Sequence, residues 1–418
     1  MPAVPEPTSS ARSPRIALCL SGGGYRAAAY HLGALRRLHE NGLLPKVDLI
    51  SSVSGGSILA AHLAQVLNDK GRSRLSFDDF EEEVAAPLRR QILIHDIRTV
   101  PFLKQWLLPW NWFRSGPAAE SLARQYARHL TRLQLHELPE GVDFRFCATD
   151  LLYGIDWRFE REESGDTKAG RFAGLRTTPL ARAVAASSCF PPVFLPMKFA
   201  LPPGRTTKTG QTAVQLSDGG VYDNLGLRAV WTSATTFLVS DGGGPFEYRE
   251  GTTPLSRLSR YAAIATHHVD KLNWQWLFAR INGWSGDSPS NPIKGATWRI
   301  GGASRGSAPF GYSKDVAAGS IAKIRTDMDG FTPSEIRILE NHGYAGAARR
   351  TEMHLAYLLS DGRPAPALPH PEFADENLVR QALGDSAKRK PLRSLVNTLL
   401  DPFSPFEDRL PDRNGAAS

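Results

Sequence analysis

Two apolar strands near the start of the chain each run straight into a glycine turn and then a helix. Arg15–Leu20 (RIALCL) reads as a short buried strand, bounded by Pro14 and by Gly22-Gly23-Gly24. A helical pattern follows from Tyr25, with Leu32, Leu35 and Leu38 on one face and Gly42 as its stop. Val47–Val53 is a second strand and Gly55–Asn68 a second helix, with Ser54 at the turn between them. Parallel strands need a crossover, usually a helix, so this repeated unit predicts an α/β protein built on a parallel sheet. Leu49–Asn68 contains no Asp, Glu, Lys or Arg, but four serines, His62, Gln65 and Asn68 make it too polar for a spanning helix.

Further along, Phe77–Asp96 reads as a helix with Ser76 as N-cap, and Phe144–Thr149 as a strand. Thr178 caps a helix running to Ser187, with Pro179 at its first position. Val214–Leu216 and Phe237–Ser240 are strands, each followed by Asp-Gly-Gly. Thr332-Pro333-Ser334-Glu335 has capping-box spacing and opens a long helix toward Leu359. The expected divisions are a disordered segment at 1–14, an α/β domain at 15–245, a mainly helical extension at 246–360, and a proline-rich linker with a basic tail at 361–418.

Composition excludes several classes. Of 418 residues, 41% are hydrophobic and 22% charged, which suits a packed core and not a disordered chain. Three scattered cysteines (Cys19, Cys147, Cys189) form neither a disulfide framework nor a zinc site, and predict a reducing compartment. The first fourteen residues lack a secretory h-region. A net charge of +8 with no nucleic-acid motif points to anionic lipid surfaces and to no nucleic acid.

Three short strings carry chemistry. Ser52-Val53-Ser54-Gly55-Gly56 lies between a strand and a helix, where a nucleophile elbow needs small residues two before and two after the nucleophile. The usual first small residue is glycine; here it is Ser52. Ser21-Gly22-Gly23-Gly24 presents backbone N–H groups at a helix N-terminus, suited to an anion or oxyanion. A dinucleotide site is the competing use of that turn, but Ala27 stands where the third glycine is needed and no acidic residue closes the next strand. Asp218-Gly219-Gly220 puts a carboxylate at a strand end, with glycines that allow it to approach another turn, as a general base for Ser54 must.

Together the strings SGGGYRAAAYHLGAL, SVSGGS and DGGVYDNLG, with CATDLLYG and ARAVAASSCFPPVFLP between the last two, resemble the patatin-like phospholipases over about residues 15–245. The resemblance implies a three-layer fold with a mostly parallel central sheet, plus a C-terminal helical extension here. It also implies lipid acyl hydrolysis by a Ser–Asp dyad, without metal or other cofactor. By position it makes Ser54 the nucleophile and Asp218 the base, with oxyanion donors from Gly22, Gly23, Gly24 and Gly55. Arg26, Ser52, Gly56, Gly219 and Gly220 are implied as supporting residues. The substrate would be a lipid ester met in transient membrane contact by a cytoplasmic, peripheral enzyme of phospholipase A or lysophospholipase type. Transacylation, triacylglycerol lipolysis and lipid binding without turnover are the alternatives.

Rivals remain at this stage. Asp241 starts a second Asp-Gly-Gly, and His267, His268, His342, His354 and His370 all follow Asp218 in the order a Ser–Asp–His triad would need. His31 and His39 fall on the first helix and read as packing or surface residues. The aromatic clusters Trp106–Phe113 and Trp274–Phe278 suit either a lipid interface or a core patch. Leu392, Leu395, Val396, Leu399 and Leu400 behind Lys388-Arg389-Lys390 form a basic amphipathic pattern, read as a helix docked on the domain or lying on a membrane.

Overall fold

Alternate residues of the first strand face opposite layers, and this alternation organises the molecule. The computed structural model describes residues 15–71, 75, 79–94, 117–191, 194–244, 254–283, 293–306, 310–326 and 330–387. The strands are β1 (Ile16–Leu20), β2 (Leu49–Val53), β3 (Asp143–Asp150), β4 (Ile155–Phe159), β5 (Ser164–Asp166), β6 (Gly170–Phe172), β7 (Met197–Ala200), β8 (Ala213–Asp218), β9 (Thr236–Asp241) and β10 (Lys294–Arg299). The α-helices are α1 (Gly24–Glu40), α2 (Gly55–Asp69), α3 (Ala86–Ile94), α4 (Pro117–His129), α5 (Leu180–Ser188), α6 (Gly220–Asp223), α7 (Pro254–Ile281), α8 (Lys314–Gly319), α9 (Pro333–Leu355) and α10 (Glu376–Ala387).

All ten strands join one sheet, with the order β10-β9-β1-β2-β3-β4-β5-β6 and with β8 and β7 branching from β3. The β10-β9-β1-β2-β3 run is parallel throughout. Ile16, Leu18 and Leu20 belong to the larger core with Leu32, Leu35 and Leu38 of α1. Ala17 and Cys19 belong to a second core with Phe237, Val239, Trp274 and Leu277, under α7. Burial on both faces is what a parallel sheet requires, and β1, β2 and β9 are buried at every position. Helix α1 is buried nearly all round, with the sheet on one side and α9 on the other.

Several expectations shift. Strand β10, from the segment past residue 245, pairs with β9 in the same sheet, so this part of the chain supplies a strand as well as helices. The stretch around Pro364–His370 lies along α1 and α9: the Pro364 carbonyl accepts Arg37 Nη1 at 3.1 Å, and His370 exchanges hydrogen bonds with Asn341. Pro179 is the residue before α5 and not its first, because Thr178 and Pro179 are extended in a bridge to residues 133–135. The helix expected over 77–96 opens as a π-helical turn, Phe80–Ala85, before α3, and Ser76 lies outside the described residues. The capping box at Thr332 and Glu335 is present, with bonds of 2.7 and 3.0 Å.

The Trp106–Phe113 and Leu392–Leu400 segments lie outside the described residues. Of the second aromatic cluster, Trp274 and Leu277 are core while Phe278 is exposed. Among the described residues no helix is long and apolar enough to cross a membrane.

Candidate active site

Strand β3 decides where Ser54 and Asp218 meet. One edge of β3 pairs with β2 as far as Val53↔Cys147, and the next residue along that same edge, Ala148, pairs with Asp218 of β8. Strand β4 occupies the opposite edge. Because β2 runs parallel to β3 and β8 antiparallel, their carboxyl ends converge head to head. Ser54 follows directly on β2 and Asp218 ends β8, so residues far apart in sequence meet at this junction.

Ser54 sits at φ 49° and ψ −115°, the only described non-glycine residue with positive φ. A conformation of that kind is a steric cost that the surroundings must enforce. They do so through its N–H, which donates to Ser187 Oγ at 3.0 Å, and its carbonyl, which accepts the N–H groups of Ser57 and Ile58 in the first turn of α2. Ser187 Oγ is also 2.9 Å from Ser57 Oγ, which donates to Ser52 Oγ at 3.0 Å. Serine in place of glycine at residue 52 therefore serves this hydroxyl chain.

The Asp218 carboxyl accepts the Gly220 N–H at 2.7 Å and lies beside the Ser54 hydroxyl, which favours its charged form. Ser54 and Asp218 are 5% and 2% exposed. Burial pushes the Asp218 carboxyl up to about 7, against the pull of those two groups. The Asp218 backbone is fixed as well: its N–H donates to the Cys189 carbonyl, the Gly219 N–H to the Ser187 carbonyl, and Thr149 Oγ1 to the Asp218 carbonyl at 2.8 Å. Ser187 thus braces both arms of the dyad. It lies inside the ARAVAASSCF string, but nothing in the string announces that role.

The oxyanion turn packs backbone to backbone on the elbow. A methyl group on Gly55 would meet the Gly24 carbonyl oxygen at 2.0 Å, so only glycine lets the turns approach this closely. Gly23 adopts φ 139°, which turns the chain into α1. The Gly22 N–H does not serve as an oxyanion donor, because it is bound to the Asn224 carbonyl at 3.0 Å. Among the described residues the N–H groups of Gly23, Gly24 and Gly55 make no such bond, and they stand at the N-termini of α1 and α2, where the helix dipoles favour negative charge. Arg26 is buried and donates to the carbonyls of Gly242, Ala322 and Ile324, tying the turn to the far end of the chain.

A family model for patatin-like phospholipases matches residues 18–231, half of the chain. The chain belongs to the patatin-like phospholipase family. A patatin-like phospholipase domain-containing protein of Aspergillus niger is 35% identical over 114 residues, which is 27% of this chain and 13% of that protein's length. One from Pyricularia oryzae is 46% identical over 61 residues, 15% of this chain and 7% of that protein. The chain thus matches only a small part of these fungal relatives. A solved structure of human GIVD cytosolic phospholipase A2 superposes with a TM-score of 0.48 at 13% identity, covering 82% of this chain and 59% of that one.

In this patatin-like chain several rivals to Ser54 and Asp218 are engaged elsewhere. Asp241 ends β9, two strands from Ser54, where its carboxylate holds Arg299 at 3.2 Å and the Gly243 N–H at 3.0 Å. His342 is buried between Ser304 Oγ and the Ile300 carbonyl, and burial lowers it to about 4. His370 pairs with Glu340 at 2.8 Å. His31 spans Ser240 Oγ and the Ser21 carbonyl, and burial lowers it to about 4 as well. His39 is buried and stacks on Phe80. No histidine hydrogen-bonds Asp218 among the described residues.

Sequence reasoning assigned no chemistry to α7, yet this helix is latched to the acid segment. Asn273 donates to Asp223 Oδ1 at 2.9 Å and accepts from Arg228 at 3.1 Å. Asp223 in turn accepts the N–H groups of Leu225 and Arg228. No periodicity reveals such a contact; only the pairing of distant elements does. Among the described residues no group of three or more His, Cys, Asp or Glu side chains is placed to hold a metal.

Proposed function

We propose that this chain is a lipid acyl hydrolase of phospholipase A or lysophospholipase type, cleaving carboxylic esters through an acyl-enzyme on Ser54. The observation that carries this reading is the convergence of Ser54, at a strained elbow, on the buried Asp218 carboxyl, with unpaired glycine N–H groups beside them. Ser54 Oγ attacks the ester carbonyl while its proton passes to Asp218. The carbonyl oxygen becomes an oxyanion in front of Gly23, Gly24 and Gly55, where each donor contributes about 3 kcal/mol in comparable sites. Collapse expels the alcohol, which takes the proton from Asp218, and water then repeats the sequence to free the acid. A carboxyl near 7 is well matched to this double duty, being a stronger base than an ordinary aspartate.

A fluorophosphonate probe tests the reading directly. Stoichiometric labelling is expected at Ser54 alone, located by peptide mass, and absent in Ser54→Ala. Labelling elsewhere, or ester turnover retained by Ser54→Ala, would sink the mechanism.

Membrane contact belongs to the same proposal, together with a reducing, cytoplasmic setting suited to three free thiols. Three turns beyond the dyad are tied together: Tyr153 bonds Thr209 at 2.5 Å, and Lys208 bonds the Thr167 carbonyl at 3.0 Å. They expose Leu151, Leu152, Lys168, Arg205 and Lys208, with no acid among residues 151–154, 167–169 and 201–212. Apolar side chains ringed by cations suit an anionic lipid surface, with about 1 kcal/mol from each cation. Leu151→Asp/Leu152→Asp is expected to weaken binding to phosphatidylserine vesicles by at least about tenfold, since the lost burial exceeds 1.4 kcal/mol. Hydrolysis of a water-soluble ester should stay unchanged. Equal vesicle binding by variant and parent would place the contact elsewhere.

A further inference from the structure

Asn224 follows α6, and the dyad chemistry leaves its side chain without a task. Its backbone carbonyl accepts the Gly22 N–H at 3.0 Å, and the Asp270 carboxyl of α7 lies near its N–H. The side-chain amide is half-buried and makes no hydrogen bond among the described residues. A half-buried amide so firmly placed and so unoccupied calls for an explanation, since such groups ordinarily find partners.

Three glycines fix where this amide lies. A methyl group on Gly22 would stand 2.4 Å from Asn224 Oδ1 and 3.3 Å from Ser54 Cβ. One on Gly220 would stand 2.8 Å from the same oxygen and 3.0 Å from Asp218 Oδ1. One on Gly243 would stand 2.8 Å from Asn224 Nδ2. The oxygen end therefore lies between the immediate neighbours of nucleophile and base, and the nitrogen end faces away toward the third turn. The unpaired N–H groups of Gly23, Gly24 and Gly55 already provide donors for the oxyanion. What remains without a partner is the attacking water: it brings two protons, and Asp218 accepts only one.

We infer that Asn224 Oδ1 holds the water that hydrolyses the acyl-enzyme, and so directs the acyl group to water in preference to an alcohol. The inference rests on the Ser54 acyl-enzyme reading above. In the step, the water oxygen bonds to the acyl carbon while one of its protons passes to Asp218. Its other proton stays on that oxygen, hydrogen-bonded to Asn224 Oδ1. The carbon–Ser54 Oγ bond then breaks, Oγ recovers the proton from Asp218, and the carboxylic acid leaves. An alcohol has a single hydroxyl proton, which goes to Asp218, so it has no proton for Asn224 to hold.

That difference supplies the test. Full-length protein and Asn224→Ala are compared on p-nitrophenyl butyrate by stopped flow, with and without methanol. The expected result is a stoichiometric burst in both, kcat/KM within about twofold, and kcat lower by roughly tenfold, the worth of one hydrogen bond. Fluorophosphonate labelling at the parent rate shows that fold and acylation survive. The ratio of methyl butyrate to butyrate should rise roughly tenfold in the variant, since only the water route loses a contact. A merely structural role would lower kcat and kcat/KM together and leave the product ratio unchanged; either result overturns the assignment. Turnover by Ser54→Ala is a separate outcome, which removes the acyl-enzyme itself.

Discussion

Replacing Ser54 with glycine is expected to abolish ester turnover and yet leave a protein more stable than Ser54→Ala. Both variants remove the hydroxyl, and loss of a nucleophile of this kind costs at least about a thousandfold in kcat. They differ in the backbone. At φ 49° and ψ −115° an L-residue pays for its Cβ, and strain of this class is worth on the order of 1–3 kcal/mol. Glycine relieves that strain and gives back about 0.5–1 kcal/mol through the larger entropy of its unfolded chain. The balance favours Ser54→Gly over Ser54→Ala by roughly 1 kcal/mol, read as the difference in urea midpoint at equal slope. If Ser54→Gly proved the weaker of the two, the elbow would not be a site of stored strain. The bond from the residue 54 N–H to Ser187 Oγ is unaffected in either variant, so the comparison isolates the conformational contribution.

The same contrast between local and distant causes explains what could be read from the sequence. Strands β1 and β2, their glycine turns and the helices after them follow from adjacent residues alone: uncharged and mostly apolar along each strand, small at each turn. The turns that carry Ser54 and Asp218 were legible for that reason, as was the capping box of α9. Strands β4 to β7 were not: β5 and β6 have three residues each, β4 carries Asp156 and Arg158 among its five, and the four residues of β7 alternate buried and exposed. Strand β10 escaped too, since Lys294 and Arg299 at its ends and Gly295 between them are edge-strand residues. Gly22 was assigned as a donor because a glycine turn at a helix N-terminus ordinarily offers all its N–H groups. Its N–H is taken by Asn224, which only the packed turns reveal. Ser187 and Asn273 were invisible on the same ground: their partners are brought to them by the sheet and by α7.

Asp218→Asn is expected to lose activity and gain stability, with the gain confined to pH values above the ordinary carboxylate range. Burial raises the Asp218 carboxyl from 3.8 to about 7, so between those values the folded chain keeps a proton that the unfolded chain has released. Fold stability from this group is therefore greatest below about pH 4, declines as pH rises to about 7, and is level beyond. An asparagine never has to ionise, and its amide oxygen can still accept the Gly220 N–H that Oδ1 accepts now at 2.7 Å. At pH 8 the variant should exceed the parent by a few kcal/mol in urea denaturation, and the two curves should converge toward pH 4. Activity behaves oppositely. Only the ionised carboxylate takes the Ser54 proton, so the parent's kcat/KM should climb with pH and flatten above about 7. Asp218→Asn at pH 8 should fall by about 100- to 10,000-fold, the range of general-base contributions. A parent profile flat from pH 5 to 8, or a variant no more stable than the parent at pH 8, would mean that this carboxyl is not the buried base. The gain in stability and the loss of turnover share one origin: ionising a carboxylate away from water costs the fold what the chemistry requires.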